Sequence, residues 1–446
     1  MDYRDLIKQI FENGRNTFSD MEAYLVRDSE KTIEYSNENL EKYALASSGG
    51  LALTVRQGDR IGAAYTENLT VEAIPELLSM AEQTLSVNEP EKAGLPDLLE
   101  TDEIVNVDLS HDKPFQAASW LELGKQIATE GLSSSEEVHL VEVFIVQQTV
   151  QKLIMNTRGL NKQSTHQINL AYAEAILKRA EEMKSGRDYL FFEDISEVNP
   201  QVLAREAVKN AEANFGAKST GSGQKTLVLD RRVMASWLNA FEPSFSGENV
   251  NFGMSSIQDK LGEEIASAVV NLVSDPLAEL SSAKRYFDDE GVSTSYLPLI
   301  DKGVLKNFLY DQTSAKQAQV ASSGNAQRSY KGPSKPRAFN LTLLPGDLSR
   351  EALFEQAGDG IYITGLQGLH SGLSTISGDF SVPASGFLIE NGQLSRPLNQ
   401  IVIAGNFVDL LRKIEAVGSD LELEMSGCIA PSVLVRDVSV SGENEN

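Results

Sequence analysis

The 446-residue sequence has one cysteine, Cys428, and four histidines: His111, His139, His166 and His370. A single thiol excludes an intrachain disulfide and any zinc site built from several cysteines. No two histidines sit at the i, i+4 spacing that places two imidazoles on one helix face. No run of about 18 uncharged apolar residues occurs, so there is no candidate membrane-spanning helix. Residues 1–10 carry acids and no long apolar stretch, and do not read as an export signal. Cations are scarce: 39 Lys and Arg stand against 64 Asp and Glu, a net charge of −25. Such a surface repels phosphate backbones and anionic lipid, so neither direct nucleic-acid contact nor membrane binding is expected. The expected location is the cytoplasm. The motifs G-x-S-x-G, G-x-x-x-x-G-K-[ST] and G-x-G-x-x-G are absent, which removes support for a serine nucleophile elbow and for a nucleotide cradle.

What is present is ordinary for a globular chain: 41% hydrophobic and 23% charged residues, at a length suited to two or three domains. Leu6, Ile7, Ile10 and Phe11 fall on one helical face. Residues 21–28 and 32–35 read as strands, and Gln57-Gly58-Asp59 as the turn of a hairpin. Val71 to Leu85 reads as a helix. A similar order returns after a helix at 115–132, with strands at 139–147, 150–155, 166–174 and 186–193 and a helix at 200–214. Segments 20–86 and 139–214 thus read as a duplicated β-meander plus helix, against the plainer alternative of two unrelated α+β segments. Residues 87–115 read as a surface loop. The Gly- and Ser-rich stretch 214–224 reads as a domain boundary. The expected architecture is α+β: a 1–220 domain of antiparallel sheets with helices, then a β-rich, barrel- or sandwich-like 221–446 domain. Trp120 and Trp237 are expected to anchor helices to cores.

One late block is dense in glycine around a histidine and an aspartate: Gly365-Leu-Gln-Gly-Leu-His370-Ser-Gly-Leu-Ser-Thr-Ile-Ser-Gly-Asp379-Phe-Ser. Glycine permits positive φ and close backbone approach, so Gly368, His370, Ser371, Gly372, Gly378 and Asp379 are candidates to meet an extended peptide. The plainer reading is a glycine-laden turn region with a satisfied His370. Asn391-Gly392 follows as a strong hairpin signal. Cys428 precedes a buried-strand pattern and reads as a small core residue. Arg328–Arg337 is the one basic cluster, Pro-rich and expected to be an exposed loop.

Tyr286-Phe-Asp-Asp-Glu-Gly-Val292, Gly303-Val-Leu-Lys-Asn-Phe-Leu-Tyr-Asp311, the glycine block, Gly386–Gly392 and Asn399-Gln-Ile-Val-Ile-Ala-Gly-Asn406 occur in that order. With them the sequence resembles the TldD/PmbA family, in its PmbA (TldE) branch, over nearly the whole chain. The resemblance implies cytoplasmic peptide-bond hydrolysis on unfolded peptides. It also implies a dimer, either with a TldD-like catalytic subunit or as a homodimer. In the TldD branch it implies a metal, zinc or iron, held by His-Glu-x-x-x-His and a late cysteine. At the matching place this sequence reads Leu238-Asn-Ala-Phe-Glu-Pro243, without histidine and with a helix-breaking proline. Only Cys428 resembles the late ligand. The expectation is a chain without cofactor of its own and non-catalytic alone. The alternatives are an atypical metal site using His370, Asp379 or Cys428, and a protein-binding regulator linked to DNA gyrase.

Overall fold

The computed structural model describes residues 3–90, 97–101, 103–110 and 115–443. His111, part of the expected 87–115 loop and most of the expected frayed tail lie outside them. The chain divides into two units. The first is Met1–Glu212 with Ser282–Ser293 and Ala326–Ser334; the second is Ala213–Ser281, Thr294–Asn325 and Lys335–Asn446.

In the first unit the chain runs α1 (Tyr3–Gly14), β1 (Asp20–Ser36), β2 (Asn39–Gln57), β3 (Arg60–Thr66) and α2 (Ile74–Val87). Then come β4 (Ile104–Leu109), α3 (Ala117–Ser133), β5 (Val138–Asn156), β6 (Asn161–Arg179), β7 (Glu182–Phe192) and α4 (Pro200–Glu212). The order helix, three-stranded meander, helix therefore occurs twice. The two meanders join through an antiparallel β1–β5 pairing, Leu25 opposite Leu153, into one seven-stranded sheet. On the α1–α2 side, Leu6, Ile7 and Ile10 meet Met21, Leu25, Leu51, Leu53, Leu77 and Ala81 in one core. On α3, Trp120 packs against Phe115 and Phe192, with ring centroids 4.9 and 5.5 Å apart.

Polar residues at 29–31 and 148–149 suggest breaks, yet β1 and β5 run through them unbroken. Backbone pairing on both sides carries β1 across this stretch, and its polar side chains find partners on β5. Gln148 Nε2 donates to Asp28 Oδ2 (2.7 Å) and Lys31 Nζ to Gln147 Oε1 (2.7 Å).

In the second unit five strands close a ring. Gly223–Leu229 lies parallel to Gly360–Leu366, which pairs antiparallel with Asp379–Glu390. That strand pairs with Gln393–Asn406, whose far end meets Val433–Ser441, and the last returns to Gly223–Leu229. The β-rich, barrel-like expectation matches this closure. The fill includes Leu227, Leu229, Ile361, Ile363, Val382, Ile401, Ile403 and Val435, all buried. The Asn391-Gly392 turn has φ of 52° and 77°, the two positive values a type I′ hairpin needs. A second sheet of short strands includes Leu272–Ser274, Leu297–Asp301 and Leu341–Leu343.

Candidate functional site

Three places in the structure gather chemistry-bearing side chains. The first is the glycine block of the second unit. Gly368 (φ +65°) and Gly378 (φ +82°) take turns that disfavour other residues. A side chain at Gly372 would strike the Ser381 carbonyl at 2.7 Å. The N–H groups of Ser371 and Gly372 donate to Gly368 O, that of Ser381 to Gly372 O, and that of Gly378 to Ser374 O, at 2.7–3.0 Å. The block thus spends these donors on its own turns. It offers solvent side chains instead: His370, Ser371 and Asp379 are exposed. Asp379 Oδ1 accepts from Asn406 Nδ2 at 3.0 Å, and this bond with Ser377 holds its carboxyl below the usual range. Gly368, Ser371 and Gly372 are brought into one turn, and Gly378 and Asp379 lie beside Asn406. Among the described residues His370 and Asp379 are not part of any metal-binding group of three His, Cys, Asp or Glu side chains.

The second place is the end of the helix Arg231–Phe241, α5. Asp230 caps it, its carboxylate accepting from Arg232 N–H at 2.9 Å. Val233, Met234, Trp237, Leu238 and Phe241 bury one face. Phe241 stacks on Phe407 at 4.2 Å, and Trp237 meets Phe380 edge-on at 4.5 Å. Pro243 follows, and the α-helix stops at Phe241. Glu242 is 5% exposed. Its Oε2 pairs with the Arg337 guanidinium and its Oε1 accepts from Ala338 N–H at 2.7 Å. Cys428 is buried, and burial pushes its thiol up to about 12, with Glu242 and Glu424 adding to the rise. These residues do not fit the metal that the TldD branch implies. Such a site needs imidazoles and a thiolate. Here the thiol is neutral, the carboxylate is engaged by a guanidinium, and no imidazole is present in the stretch. Among the described residues no three His, Cys, Asp or Glu side chains converge as a metal site.

The third place escaped sequence reasoning. In the first unit, Asp289 lies buried on the sheet, where Lys152 Nζ reaches both carboxylate oxygens at 2.7 and 2.9 Å. Arg285 Nη1 stands 3.5 Å away, and the Arg328 N–H donates to Oδ2 at 3.0 Å. Arg328 itself is largely buried, its Nη2 2.8 Å from Glu22 and its guanidinium 4.4 Å over the Tyr24 ring. As the anion facing Lys152 and Arg285, Asp289 keeps its carboxyl below the ordinary range although burial opposes this. Burial, with the repulsion of Arg285, pulls Lys152 down to about 8. Asp288 accepts three backbone N–H bonds, from Glu290, Val292 and Ala326. Burial still pushes it up to about 7. His166 is pushed down to about 4 by burial and by Arg285 and Lys152. Both segments that return to this unit from later in the chain are tied down here. The expected exposed loop at Arg328–Arg337 holds for Ser329, Lys331, Gly332, Pro333, Lys335 and Arg337, while Arg328 turns inward. Arg328 pairs with Glu22, Lys331 with Glu67 at 2.7 Å and Arg337 with Glu242. Three of the loop's four cations thus have acidic partners more than 90 residues away in sequence. The Asp-Asp pair at 288–289 was visible as a motif, but nothing local marks its cations.

The helix-and-meander order that occurs twice and the closed barrel are the fold that the comparisons with known proteins identify. The models for PmbA/TldA metallopeptidase domain 1 and for the PmbA/TldA metallopeptidase C-terminal domain match residues 21–85 and 222–442. The metalloprotease PmbA of Escherichia coli O157:H7 is 24% identical over 410 residues, covering 91% of this chain and 88% of that one. A metalloprotease PmbA homolog of Buchnera aphidicola is 22% identical over 442 residues, 98% of this chain and 96% of the relative. A solved structure from Thermotoga maritima, described as a proposed modulator of a DNA gyrase, has 27% identity and a TM-score of 0.89. It covers 98% of this chain and all of its own. The TldE of Thermococcus kodakarensis has the same fold, with a TM-score of 0.86 at 21% identity, over 98% of this chain and all of its own. The chain belongs to the TldD/PmbA metallopeptidase family, and relatives named PmbA align with most of its length.

Proposed function

We propose that this chain is the non-catalytic, PmbA/TldE-like subunit of a cytoplasmic peptidase system that processes unfolded peptides. In this reading a TldD-like subunit brings the metal, zinc or iron, and the hydrolytic groups, while this chain guides peptide. The observation that supports it most is the pairing of Glu242 with Arg337 beside a neutral Cys428. A guanidinium at that place repels a metal cation rather than gathering ligands for one. The glycine block, with His370, Ser371 and Asp379 exposed and Gly368, Gly372 and Gly378 shaping its turns, is the candidate peptide-facing surface. A self-sufficient peptidase using His370 and Asp379 finds little support, since Asp379 is engaged by Asn406. A gyrase-linked regulator would have to act through protein, because a net charge of −25 disfavours DNA.

The test is reconstitution with a TldD-like chain from the same organism. The mixture should co-elute as a complex and cleave an unfolded peptide, while this chain alone should be inert with zinc or iron added. Turnover by the lone chain would refute the proposal, as would a mixture giving neither complex nor cleavage.

A further inference from the structure

On β5 the row Val141, Val143 and Ile145 is buried and apolar, and Gly131 and Gly124 of α3 lie against its Val141 and Ile145. Alternation along the strand continues this row to Gln147. Gln147 stands opposite Asn169 of β6 and opposite Lys31 of β1, and Gln167 lies two residues before Asn169, on the same face. Three amides thus interrupt an apolar sheet face, and Gln147, Asn169 and Gln167 are only 4%, 2% and 6% exposed. Asn169 is fully engaged. Its Oδ1 accepts from Gln147 Nε2 and Gln167 Nε2, both at 3.2 Å, and its Nδ2 donates to the carbonyls of Phe192 and Glu193 at 3.1 and 3.2 Å. This fixes which way both glutamine amides point. Gln147 Oε1 is taken by Lys31, whereas Gln167 Oε1 accepts from no group among the described residues. The three amides line one cleft of about 160 Å³, walled by Phe115 and Trp120 and edged by Glu193 and Asp194.

We infer that this cleft binds a single uncharged ring bearing an amide, cyclic as in uracil or pendant as in nicotinamide. Size sets the ring. A cavity of about 150 Å³ takes one benzene-sized molecule, whereas a water occupies about 30 Å³. The aromatic walls give a flat ring faces to pack on, and a few fixed polar groups in an otherwise apolar pocket orient it. Hydrogen bonding sets the amide. A buried acceptor without a donor is costly, and the ligand's N–H satisfies Gln167 Oε1. Each glutamine Nε2 carries a second N–H, which serves the ligand's carbonyl. Charge is disfavoured from both sides. The Lys31 ammonium, behind Gln147 and 4.7 Å over the Phe115 ring, opposes a cation, and the carboxylates of Glu193 and Asp194 oppose an anion. The site lies within the first unit and is independent of the proposed activity, since its occupancy is read without any peptidase assay.

Ligand-detected NMR titration of the full chain tests it. Uracil or nicotinamide should bind with a dissociation constant below about 1 mM, within the reach of so few atoms. Orotate, the carboxylated uracil, and toluene, which has no hydrogen-bonding group, should bind at least tenfold more weakly. Gln167→Leu removes the unengaged oxygen at nearly unchanged volume and should weaken binding of the ring at least tenfold. Ser119→Trp, at an exposed position of α3 that lines the cleft, should block it while leaving the fold intact. Failure of both rings to bind below about 10 mM overturns the inference. So does toluene or orotate binding as well as uracil, or an affinity that neither variant changes. N-acetylglutamine methylamide binding while both rings do not would make the cleft a peptide side-chain site, and overturns it likewise. If Gln167→Leu fails to fold, Ser119→Trp alone decides.

Discussion

Replacing His166 by glutamine should tilt the pH dependence of the first unit's stability, by an amount that the buried cluster fixes. Asp288 is pushed up to about 7 by burial. A raised acid keeps a proton in the folded chain that the unfolded chain has released. Its stabilisation is full below about pH 4 and is lost as pH rises through about 7. His166 is pushed down to about 4 by burial and nearby cations. Its contribution is present above about pH 6.5 and is lost as pH falls through about 4. Between about pH 4 and 6.5 the two slopes oppose, each at most about 1.4 kcal/mol per pH unit, and they offset. With His166→Gln the Asp288 slope is uncovered. From about pH 4.5 to 6.5 the variant should lose up to about 2.7 kcal/mol more than the parent chain. Asp288→Asn should tilt the other way, losing stability toward acid. Urea unfolding at about pH 4.5, 5.5 and 6.5, followed by Trp120 fluorescence in a Trp237→Phe background, reads the effect. The chain's two tryptophans fall one in each unit, so the remaining signal reports the first. Parallel pH profiles for parent and both variants, within about 0.5 kcal/mol, would refute the reasoning.

Three further outcomes are expected. Asp289→Ala should cost about 3–5 kcal/mol in urea unfolding, because it strips Lys152 and Arg285 of a buried anion; the double variant Lys152→Met with Asp289→Leu should cost less than the sum of the single changes. Cys428 should resist alkylation in the native chain near pH 8 and react fully only after unfolding, since its thiol lies near 12 and is 4% exposed; fast native labelling counts against a buried neutral thiol. Gly392→Ala should destabilise the second unit by about 1–2 kcal/mol for the positive φ alone. The new Cβ would also meet Glu355 Cα at 2.9 Å, and an unchanged melting temperature would contradict the turn described here.

Much of the fold was legible because its signals are local. Helical apolar spacing marked α1 and α2, and Asn391-Gly392 marked its hairpin. What failed was strand length. Ser29-Glu30-Lys31 and Gln148-Thr149 read as interruptions, because alternation of apolar residues is the signal for a strand half-buried on a core. Their strands are sustained by pairing with neighbours far away in sequence, and their polar groups bond across the sheet. No periodicity within one strand reports that.

The sites divide along the same line. The segment Leu238–Pro243 at the end of α5 could be singled out from sequence because it is short and carries a proline. Its meaning could not, because the group that occupies Glu242 arrives from Arg337, 95 residues on. The buried cluster is a stronger case. Glu22, Lys152, Asp289 and Arg328 belong to four separate stretches, and each alone reads as a solvated charge. A charge leaves water at a cost of several kcal/mol unless partners meet it. Four such charges can therefore be buried together only if the segments carrying them are held in fixed positions. Residues 282–293 and 326–334 leave the second half of the sequence and return to the first unit on these ion pairs. The pairs thus act as the fixed points of that return, and sequence displays them only as ordinary acids and bases.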